Sequence, residues 1–493
     1  MGIPTTTDVG RTTLLGICAL KETILNSGIS AATPGKKILI SGTTAGEMDL
    51  TEKYWQDIEN HTNVLLRHDC GSCTDNIAKH FGFIDETTTI STACSSGANA
   101  ILEGAELLEA GKADIVFAGG AEALTKFHLT GFASLMILDR DVCRPFAADR
   151  AGLNLGEGAA FLAMETEEHA IARGAKILCY FAGGGNACDA FHQTASSPDG
   201  EGAYLAMTQA LADANITATD IQYVNAHGTG TVNNDESEMA ALRRIFGDNL
   251  PTIESTKSIT GHTTSAAGAI EAVICIRKMQ DNPSLKNVMD NSFGFGGNDT
   301  SIIFSRCKTG SCANIFDDGI QIETAAKCEL TSEDDIAEIK NYLKPAETRR
   351  MGKILKSSLL VSLKALKMSG IDIPDAIITA TSLGCWENSE KILDNLTEPK
   401  PTLFMQSTHN TISSNTAIYL KCHGYNITYT QVGDALDRAL RKAELLIKSG
   451  KAASVLVGLH EETTPRYREL MLKNGKDDLR PLYSLALVIK KKH

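Results

Sequence analysis

The sequence has no stretch rich in lysine and arginine, and its formal net charge at pH 7 is -13. Proteins that bind nucleic acids without sequence preference neutralise phosphates with a basic face. The charge balance therefore excludes a general nucleic-acid-binding function.

Long apolar runs are also absent. No segment approaches the roughly 18 consecutive apolar residues that a membrane-spanning helix needs. Residues 1–7 contain neither the basic region nor the apolar region of a signal peptide. These absences predict a cytoplasmic protein without membrane insertion.

The cysteines lack the spacing of a disulfide framework or a zinc site. The chain has 13 cysteines without a regular spacing and without secretory features, which favours reduced thiols. Cys70 and Cys73 form a C-x-x-C, but no second cysteine pair or histidine pair stands at zinc-ligand spacing. Metal binding or redox chemistry at this pair stays a minor alternative.

What the sequence does contain is an alternation of strand and helix patterns. Short runs of β-formers at residues 37–41, 88–92 and 114–118 predict strands of an α/β fold. Between the last two, apolar residues from Ala98 to Leu108 recur at helical spacing and predict a helix with one buried face. Cys94 therefore lies on a predicted strand-to-helix turn.

An internal repeat divides the chain. The segments AELL (105–108) and GKA (111–113) recur at 443–446 and 450–452, each before a run of β-formers. The apolar pattern lapses around residues 307–312, which predicts a first unit at 1–307 and a second at 312–493. Alignment of the two copies places Gln431, within one residue, at the position of Cys94.

Four segments carry candidate chemistry. A cysteine at a helix N-terminus gains nucleophilicity from unpaired N–H groups and the helix dipole, although Cys94 taken alone is better explained as a buried structural residue. His227 follows a predicted strand, where α/β folds gather functional groups, or it is a loop histidine held by hydrogen bonds. Lys257 and His262 open another helix, or they are a solvated lysine and a capping histidine. The glycine-rich residues 291–299 can present N–H groups to an oxyanion.

Taken together, these segments resemble a known family. The motifs TACSSG (92–97), NAHGT (225–229), KSITGH (257–262) and FGFGG (293–297) resemble, in order, those of the β-ketoacyl-[acyl-carrier-protein] synthases. The resemblance covers roughly residues 1–307. It implies a thiolase-like fold with αβαβα layers and a decarboxylative Claisen condensation.

The resemblance also implies roles for individual residues. Cys94 would take an acyl group from acyl carrier protein, while His227 and His262, as neutral imidazoles, would stabilise the enolate formed when a malonyl group loses carbon dioxide. Lys257 would orient this pair. The backbone N–H groups of Cys94 and Phe295 resemble the oxyanion hole, and the Phe295 side chain resembles the gate of the acyl pocket.

Two further roles and an absence follow from the same resemblance. Thr229 and Thr231 look like the hydroxyls that meet the phosphopantetheine arm. No metal and no soluble cofactor is implied, since the substrates arrive on acyl carrier protein.

The sequence departs from the family in two places. The family's opening strand is missing, and residues 279–291 are too short for the strands that usually precede the glycine-rich loop. We expect both absences to remove strands from the core, through truncation or natural deletion. Alternatively, the second unit supplies compensating contacts.

The second unit resembles the N-terminal half of a ketosynthase or a chain-length factor. It has no counterpart of Cys94, so we predict a catalytically silent partner that forms a pseudo-dimer and bounds the acyl pocket; a homodimer is the other expectation. His409, His423 and His460 lack the family's motifs and are predicted to be structural.

Three alternatives stay open. The chain could be a thiolase-like protein that uses coenzyme A, although residues 291–299 contain no second catalytic cysteine. It could be a decarboxylase-only protein or a non-catalytic partner of a synthase complex. The pathway could be fatty acid, polyketide or aryl polyene biosynthesis.

Overall fold

The computed structural model describes residues 9–309, 316–398 and 400–492. Residues 1–7 and part of the predicted boundary at 307–312 lie outside these ranges. The strands are β1 (Lys37–Gly42), β2 (Glu86–Ile90), β3 (Ile115–Glu122), β4 (Gly158–Glu165), β5 (Tyr180–Cys188), β6 (Tyr223–Asn225), β7 (Thr252–Glu254), β8 (Asn287–Gly294), β9 (Asn298–Ser305), β10 (Ile322–Leu330), β11 (Ala376–Thr381), β12 (Tyr425–Thr430), β13 (Ser454–Glu462) and β14 (Leu482–Lys491).

Helices connect most of these strands. They are α1 (Arg11–Ser27), α2 (Met48–Tyr54), α3 (Cys70–Phe81), α4 (Ser96–Glu109), α5 (Lys126–Ser134), α6 (Glu167–Ala172), α7 (Glu201–Asp213), α8 (Val232–Phe246), α9 (Lys257–Thr260), α10 (Ala267–Asp281), α11 (Pro345–Thr348), α12 (Lys353–Ser369), α13 (Trp386–Asp394), α14 (Pro401–Met405), α15 (Thr411–Leu420), α16 (Ala435–Lys448) and α17 (Pro465–Leu472). Short 3₁₀ helices lie at Trp55–Asn60, Thr62–Arg67, Ala93–Ser95, Ala218–Asp220, Thr264–Ala266 and Asp334–Asn341. Among the described residues, no helix is both long and apolar enough to cross a bilayer.

The strands form two sheets in a layered α/β arrangement. A nine-stranded sheet has the order β10-β14-β13-β11-β12-β2-β1-β3-β4, and a five-stranded sheet has the order β5-β9-β8-β6-β7. Helices α4 and α10 pack between the sheets, α1 and α3 cover the outer face of the large sheet, and α7 covers that of the small one. These are the predicted αβαβα layers.

The repeat seen in the sequence is visible in the large sheet. Helices α1 and α12 each have 17 residues and end at a left-handed glycine, Gly28 with φ 69° and Gly370 with φ 73°. Glycine favours this conformation because it has no Cβ. The strands that follow, β1 and β11, each lie between two parallel neighbours. The second unit thus copies the strand order of the first.

The two copies meet in one continuous sheet. Strand β12 pairs antiparallel with β2 at Tyr429 and Ile90, and the Ser91 N–H donates to the Thr428 carbonyl over 2.9 Å. Ionic contacts flank this junction: Glu86 contacts Arg441 and lies 2.7 Å from Arg438. The predicted pseudo-dimer packing is therefore formed within one chain.

The position of the missing opening strand corrects the expectation that the core has lost strands. In the second unit the opening strand β10 pairs antiparallel with β14 at the outer edge of the sheet. In the first unit β4 occupies that edge and, among the described residues, pairs only with β3. Loss of an edge strand leaves one row of backbone groups unpaired but does not open the core.

The short segment before the glycine-rich loop likewise leaves the small sheet intact. Helix α10 ends at Asp281, and β8 begins only six residues later at Asn287. Strand β8 then pairs with β6 on one side and β9 on the other. Pairing is therefore continuous from β5 to β7.

Candidate active site

A tight elbow between β2 and α4 presents Cys94. Strand β2 ends at Ile90, two residues earlier than the predicted strand, and the chain makes the 3₁₀ turn Ala93–Ser95 before α4 begins. Ala93 has φ 52°, a left-handed value that is uncommon for a residue with a Cβ. The Ser96 hydroxyl accepts from the Thr92 N–H at 2.9 Å and donates to the Ala93 carbonyl at 2.6 Å. These hydrogen bonds stabilise the strained turn.

The structure brings the predicted nucleophile and both predicted histidines together. His262 Nε2 lies 3.0 Å from Cys94 Sγ. The rings of His227 and His262 are nearly perpendicular, with centroids 5.4 Å apart. One possible ligand atom from each of the three residues falls within 4.8 Å of the others. Residues separated by up to 168 positions therefore form one cluster, as the resemblance implied.

Desolvation dominates the protonation of the Cys94 thiol. Burial raises the pKa of Cys94 to about 12, and the nearby Lys257 charge and the Phe295 N–H lower it only partly. The gain that the sequence predicts from the helix N-terminus is therefore outweighed, because burial disfavours the thiolate more strongly. Cys94 is a neutral thiol at rest.

The two histidines are neutral, as predicted. Burial lowers the pKa of both His227 and His262 well below the ordinary value, and the positive charge of Lys257 lowers each further. Neutral imidazoles can donate a hydrogen bond to an enolate oxygen without transferring a full charge.

Lys257 lies behind the histidines with a partner that the sequence analysis did not assign. Its side chain is fully buried, and Nζ lies 2.6 Å from Glu271 Oε1. The carboxylate compensates the buried ammonium. Glu271 stands inside the otherwise largely apolar start of α10. An acidic residue among apolar ones was the sequence signal that could have identified it as a buried partner of a charged group.

A second carboxylate holds the loop that carries His227. Glu238 of α8 accepts hydrogen bonds from the N–H groups of His227 and Gly228, both at 2.8 Å. This contact fixes the backbone of the NAHGT motif. Nothing in the spacing of Glu238 distinguished it from a surface residue of an amphipathic helix.

Phe295 contacts Cys94 through its backbone, which supports the predicted oxyanion hole. Its N–H donates to the Cys94 sulfur. Its ring stacks on Phe132 of α5, with centroids 5.8 Å apart and planes inclined by 24°. The carbonyl of Phe295 accepts from Asn410 Nδ2 of the second unit at 2.7 Å. The second unit thus holds the loop that carries the predicted gate.

An outer cleft of about 370 Å³ contains the cluster of Cys94, His227 and His262 and both predicted pantetheine-binding hydroxyls. Thr229 and Thr231 line it together with Cys94, and their hydroxyls are 2.9 Å apart. Six of the seven predicted site residues line this cleft, and the seventh is the buried Lys257. Lys257 lies just behind it, against Glu271.

An inner cavity of about 50 Å³ lies beyond Cys94 and is lined by both units. Cys94, Phe132 and Phe295 line both spaces, so the Phe132–Phe295 stack separates them. Phe404 of the second unit packs on Phe132, with ring centroids 5.3 Å apart. A Cβ on Gly131 would lie 2.2 Å from the Phe404 ring. The second unit therefore bounds the inner cavity.

The second unit's histidines divide into two kinds. His409 lines the inner cavity, and its Nδ1 lies 3.0 Å from the Ser91 hydroxyl, so its structural role stays a prediction. His423 Nδ1 lies 3.0 Å from the Cys188 carbonyl, and His460 is buried in β13; neither lines the two cavities. Gln431 also lies outside both, where its Nε2 donates to Thr87 at 3.0 Å and Asp75 at 3.2 Å.

The C-x-x-C lies in the first turn of α3. Cys70 and Cys73 are both buried free thiols, and burial raises both pKa values. Cys70 lines the inner cavity.

Family models match most of the first unit. The model for the N-terminal domain of the β-ketoacyl synthases matches residues 3–170, and the model for the C-terminal domain matches residues 178–288. The chain belongs to the β-ketoacyl synthase family. Residues from all four sequence motifs thus lie in or beside the outer cleft of this family member.

Relatives of this β-ketoacyl synthase are similar over part of their length. It is 41% identical over 254 residues to 3-oxoacyl-[acyl-carrier-protein] synthase 2 of Rhizobium meliloti (strain 1021), covering 44% of this chain and 60% of that protein. It is 36% identical over 285 residues to nodulation protein E of the same strain, covering 55% of this chain and 70% of that protein. The chain therefore spans between 60% and 70% of the length of these two relatives.

Solved structures match the two units differently. The ishigamide ketosynthase/chain length factor is 29% identical, covers 62% of this chain and 85% of that chain, and has a TM-score of 0.59. The PfaC keto synthase-chain length factor covers 98% of this chain and 69% of that chain with a TM-score of 0.77 at 16% identity. The latter likeness shows that both units have the fold of a ketosynthase joined to a chain length factor.

Proposed function

We propose that this chain is a β-ketoacyl-acyl-carrier-protein synthase that condenses an acyl group on Cys94 with a malonyl group carried by acyl carrier protein. The observation that carries the proposal is the cluster of Cys94, His227 and His262 in one cleft, backed by the buried Lys257–Glu271 pair. The family's relatives named 3-oxoacyl-[acyl-carrier-protein] synthase support the same reaction.

The first half-reaction loads Cys94. The neutral thiol gives its proton to His262 Nε2 at 3.0 Å as the sulfur attacks the thioester carbonyl. The new S–C bond forms, the pantetheine thiolate leaves, and the imidazolium returns the proton to it. The developing oxyanion accepts hydrogen bonds from the N–H groups of Cys94 and Phe295.

The second half-reaction forms the carbon–carbon bond. The malonyl group loses carbon dioxide, and the enolate oxygen accepts hydrogen bonds from neutral His227 and from neutral His262 in the tautomer that carries the proton on Nε2. The enolate carbon attacks the Cys94 thioester carbonyl, the C–S bond breaks, and a 3-ketoacyl thioester leaves on the carrier. The Cys94 thiolate then takes up a proton.

The second unit has no part in this chemistry but shapes the site. Phe404 bounds the inner cavity and Asn410 holds the Phe295 loop, while Gln431 lies outside both cavities. We propose that it is a silent, chain-length-factor-like partner fused to the catalytic unit. The likeness to a ketosynthase in complex with its chain length factor from Xenorhabdus doucetiae supports this role, at 30% identity, a TM-score of 0.52, and coverage of 62% of this chain and 85% of that chain.

Mass spectrometry after incubation with acyl-carrier and malonyl-carrier proteins tests the reaction. We expect an acyl adduct confined to Cys94, followed by release of a 3-ketoacyl product. Cys94→Ala should abolish the adduct, whereas the matched variant Cys307→Ala, at an exposed thiol, should retain it. Folded protein without an adduct would overturn the proposal. Carbon dioxide release without a condensed product would instead indicate a decarboxylase-only protein.

A further inference from the structure

The inner cavity contains more polar groups than an alkyl tail requires. Three histidines, His68, His128 and His409, line it beside apolar groups such as Phe127 and Phe404. Burying a polar group without a hydrogen-bond partner is unfavourable. A purely alkyl occupant would therefore leave part of this lining unpaired.

Two of the three histidines bind a protein hydroxyl through Nδ1, which leaves Nε2 of each for a further partner. His68 Nδ1 is 2.9 Å from the Thr51 hydroxyl, and His409 Nδ1 is 3.0 Å from the Ser91 hydroxyl. Each histidine is only 8% exposed. No residue in the described ranges bonds either Nε2 atom, and both side chains line the cavity. The Nε2 atoms are therefore the available polar groups.

These two nitrogens come from different units and belong to one small space. His68 directly follows the 3₁₀ helix Thr62–Arg67, and His409 precedes α15. The two side chains interact electrostatically, since His409 contributes to lowering the pKa of His68. The cavity volume of about 50 Å³ holds about four water-sized groups at roughly 10–15 Å³ each.

We propose that the inner cavity accepts an acyl tail that carries a hydroxyl or keto oxygen, which binds to the Nε2 atoms of His68 and His409. This inference rests on the proposed function, because the tail belongs to an acyl group on Cys94. An alkyl tail displaces solvent from both nitrogens and replaces none of their hydrogen bonds, whereas an oxygenated tail replaces them.

Competition between matched thioesters tests the inference. The intact chain is given pantetheine thioesters of butanoate and 3-hydroxybutanoate, and of hexanoate and 5-hydroxyhexanoate, and the rate of Cys94 acylation is followed by mass shift. We expect about tenfold faster acylation by the hydroxylated member of at least one pair, as the gain of a buried hydrogen bond predicts. Equal or faster acylation by the alkyl member in both pairs would overturn the inference and leave the proposed function standing.

Variants assign the preference to the two histidines. The double variant His68→Leu, His409→Leu should reduce the hydroxyl-to-alkyl ratio to about one, and His409→Asn, which keeps a polar end, should retain most of it. His460→Leu removes a histidine that is equally buried but does not line the cavity, and it should leave the ratio unchanged. A ratio that persists in the double variant would overturn the assignment. Failure of every thioester and carrier to acylate Cys94 would overturn the proposed function as well.

Discussion

At the scale of single residues, the pKa of the Cys94 thiol is set by desolvation and by local charge. Burial raises the pKa of Cys94, and Lys257 and the Phe295 N–H oppose it without cancelling it. The consequence is a cysteine that is inert at neutral pH until a base takes its proton. His262, which is neutral and in contact with the sulfur, is the base within reach.

The raised pKa makes alkylation of Cys94 dependent on pH. Only the thiolate reacts, so the rate of modification by iodoacetamide should rise about tenfold per pH unit from pH 7 to pH 10. No plateau is expected there, because the pKa is about 12. Peptide mass spectrometry of Cys94 measures the rate. A plateau near pH 7 would contradict the assignment of a neutral resting thiol.

The two histidines should separate the half-reactions. His262 Nε2 contacts the Cys94 sulfur, whereas the His227 ring packs against the His262 ring. Loss of one oxyanion donor typically lowers kcat by about 10²–10³. We therefore expect His227→Ala to slow malonyl decarboxylation by about 100-fold and to slow Cys94 acylation much less. His262→Ala should slow both steps. Equal losses in both half-reactions for both variants would contradict this division.

At the scale of secondary-structure elements, the gate loop between β8 and β9 depends on a helix of the other unit. Asn410, at the start of α15, donates to the Phe295 carbonyl and to Asn298 Oδ1 at 2.6 Å. The same helix also packs closely against Gly296, since a Cβ on this residue would lie 2.3 Å from the Ser414 hydroxyl. The loop and the helix therefore fit as one packed unit.

Removal of the Asn410 amide should loosen the gate. Asn410→Ala removes the amide that donates to the part-buried Phe295 carbonyl and to the buried Asn298 Oδ1, and loss of a donor to a buried acceptor costs about 1–3 kcal/mol in unfolding free energy. We expect slower condensation together with this loss, measured by urea unfolding and by product formation. Asn415→Ala, a buried asparagine on the same helix whose amide lies 3.9 Å from the Met351 sulfur, is the matched control. A larger effect at Asn415 would contradict the role of Asn410.

At the scale of the whole molecule, buried ionic contacts join the two units. Lys442 of α16 is fully buried against Glu106 of α4, and Lys451 lies 3.3 Å from the same carboxylate. Burial alone would raise the pKa of Glu106, but the two lysines lower it overall. Such a contact is weak evidence for net stabilisation, yet the loss of one partner is costly.

The two units should therefore unfold together and be sensitive to this contact. Glu106→Gln leaves Lys442 buried without its counter-charge and should lower the unfolding free energy by about 3 kcal/mol. The exposed pair of Glu59 and Lys473 is the control, because Glu59→Gln at a surface pair should cost less than about 1 kcal/mol. Urea unfolding followed by circular dichroism measures both. Separate transitions for the two units would contradict a shared sheet.

Local features of the fold and the candidate site could be predicted from the amino-acid sequence. Periodicity placed the helix after Cys94, the repeat revealed the duplicated unit, and four motifs identified the residues that line the outer cleft. These succeeded because each depends on neighbouring residues or on short patterns. The family's motif order likewise identified His227 and His262 without any knowledge of their separation.

The surroundings of Cys94 could be known only from the folded chain. The raised pKa of Cys94 comes from burial, and the inner cavity depends on Phe404 and His409, more than 300 residues further along the chain. The place of the expected opening strand in the sheet, at an edge and not in the core, depends on the order of the described strands. Desolvation and packing are sums over groups that are distant in sequence, so no local pattern could report them.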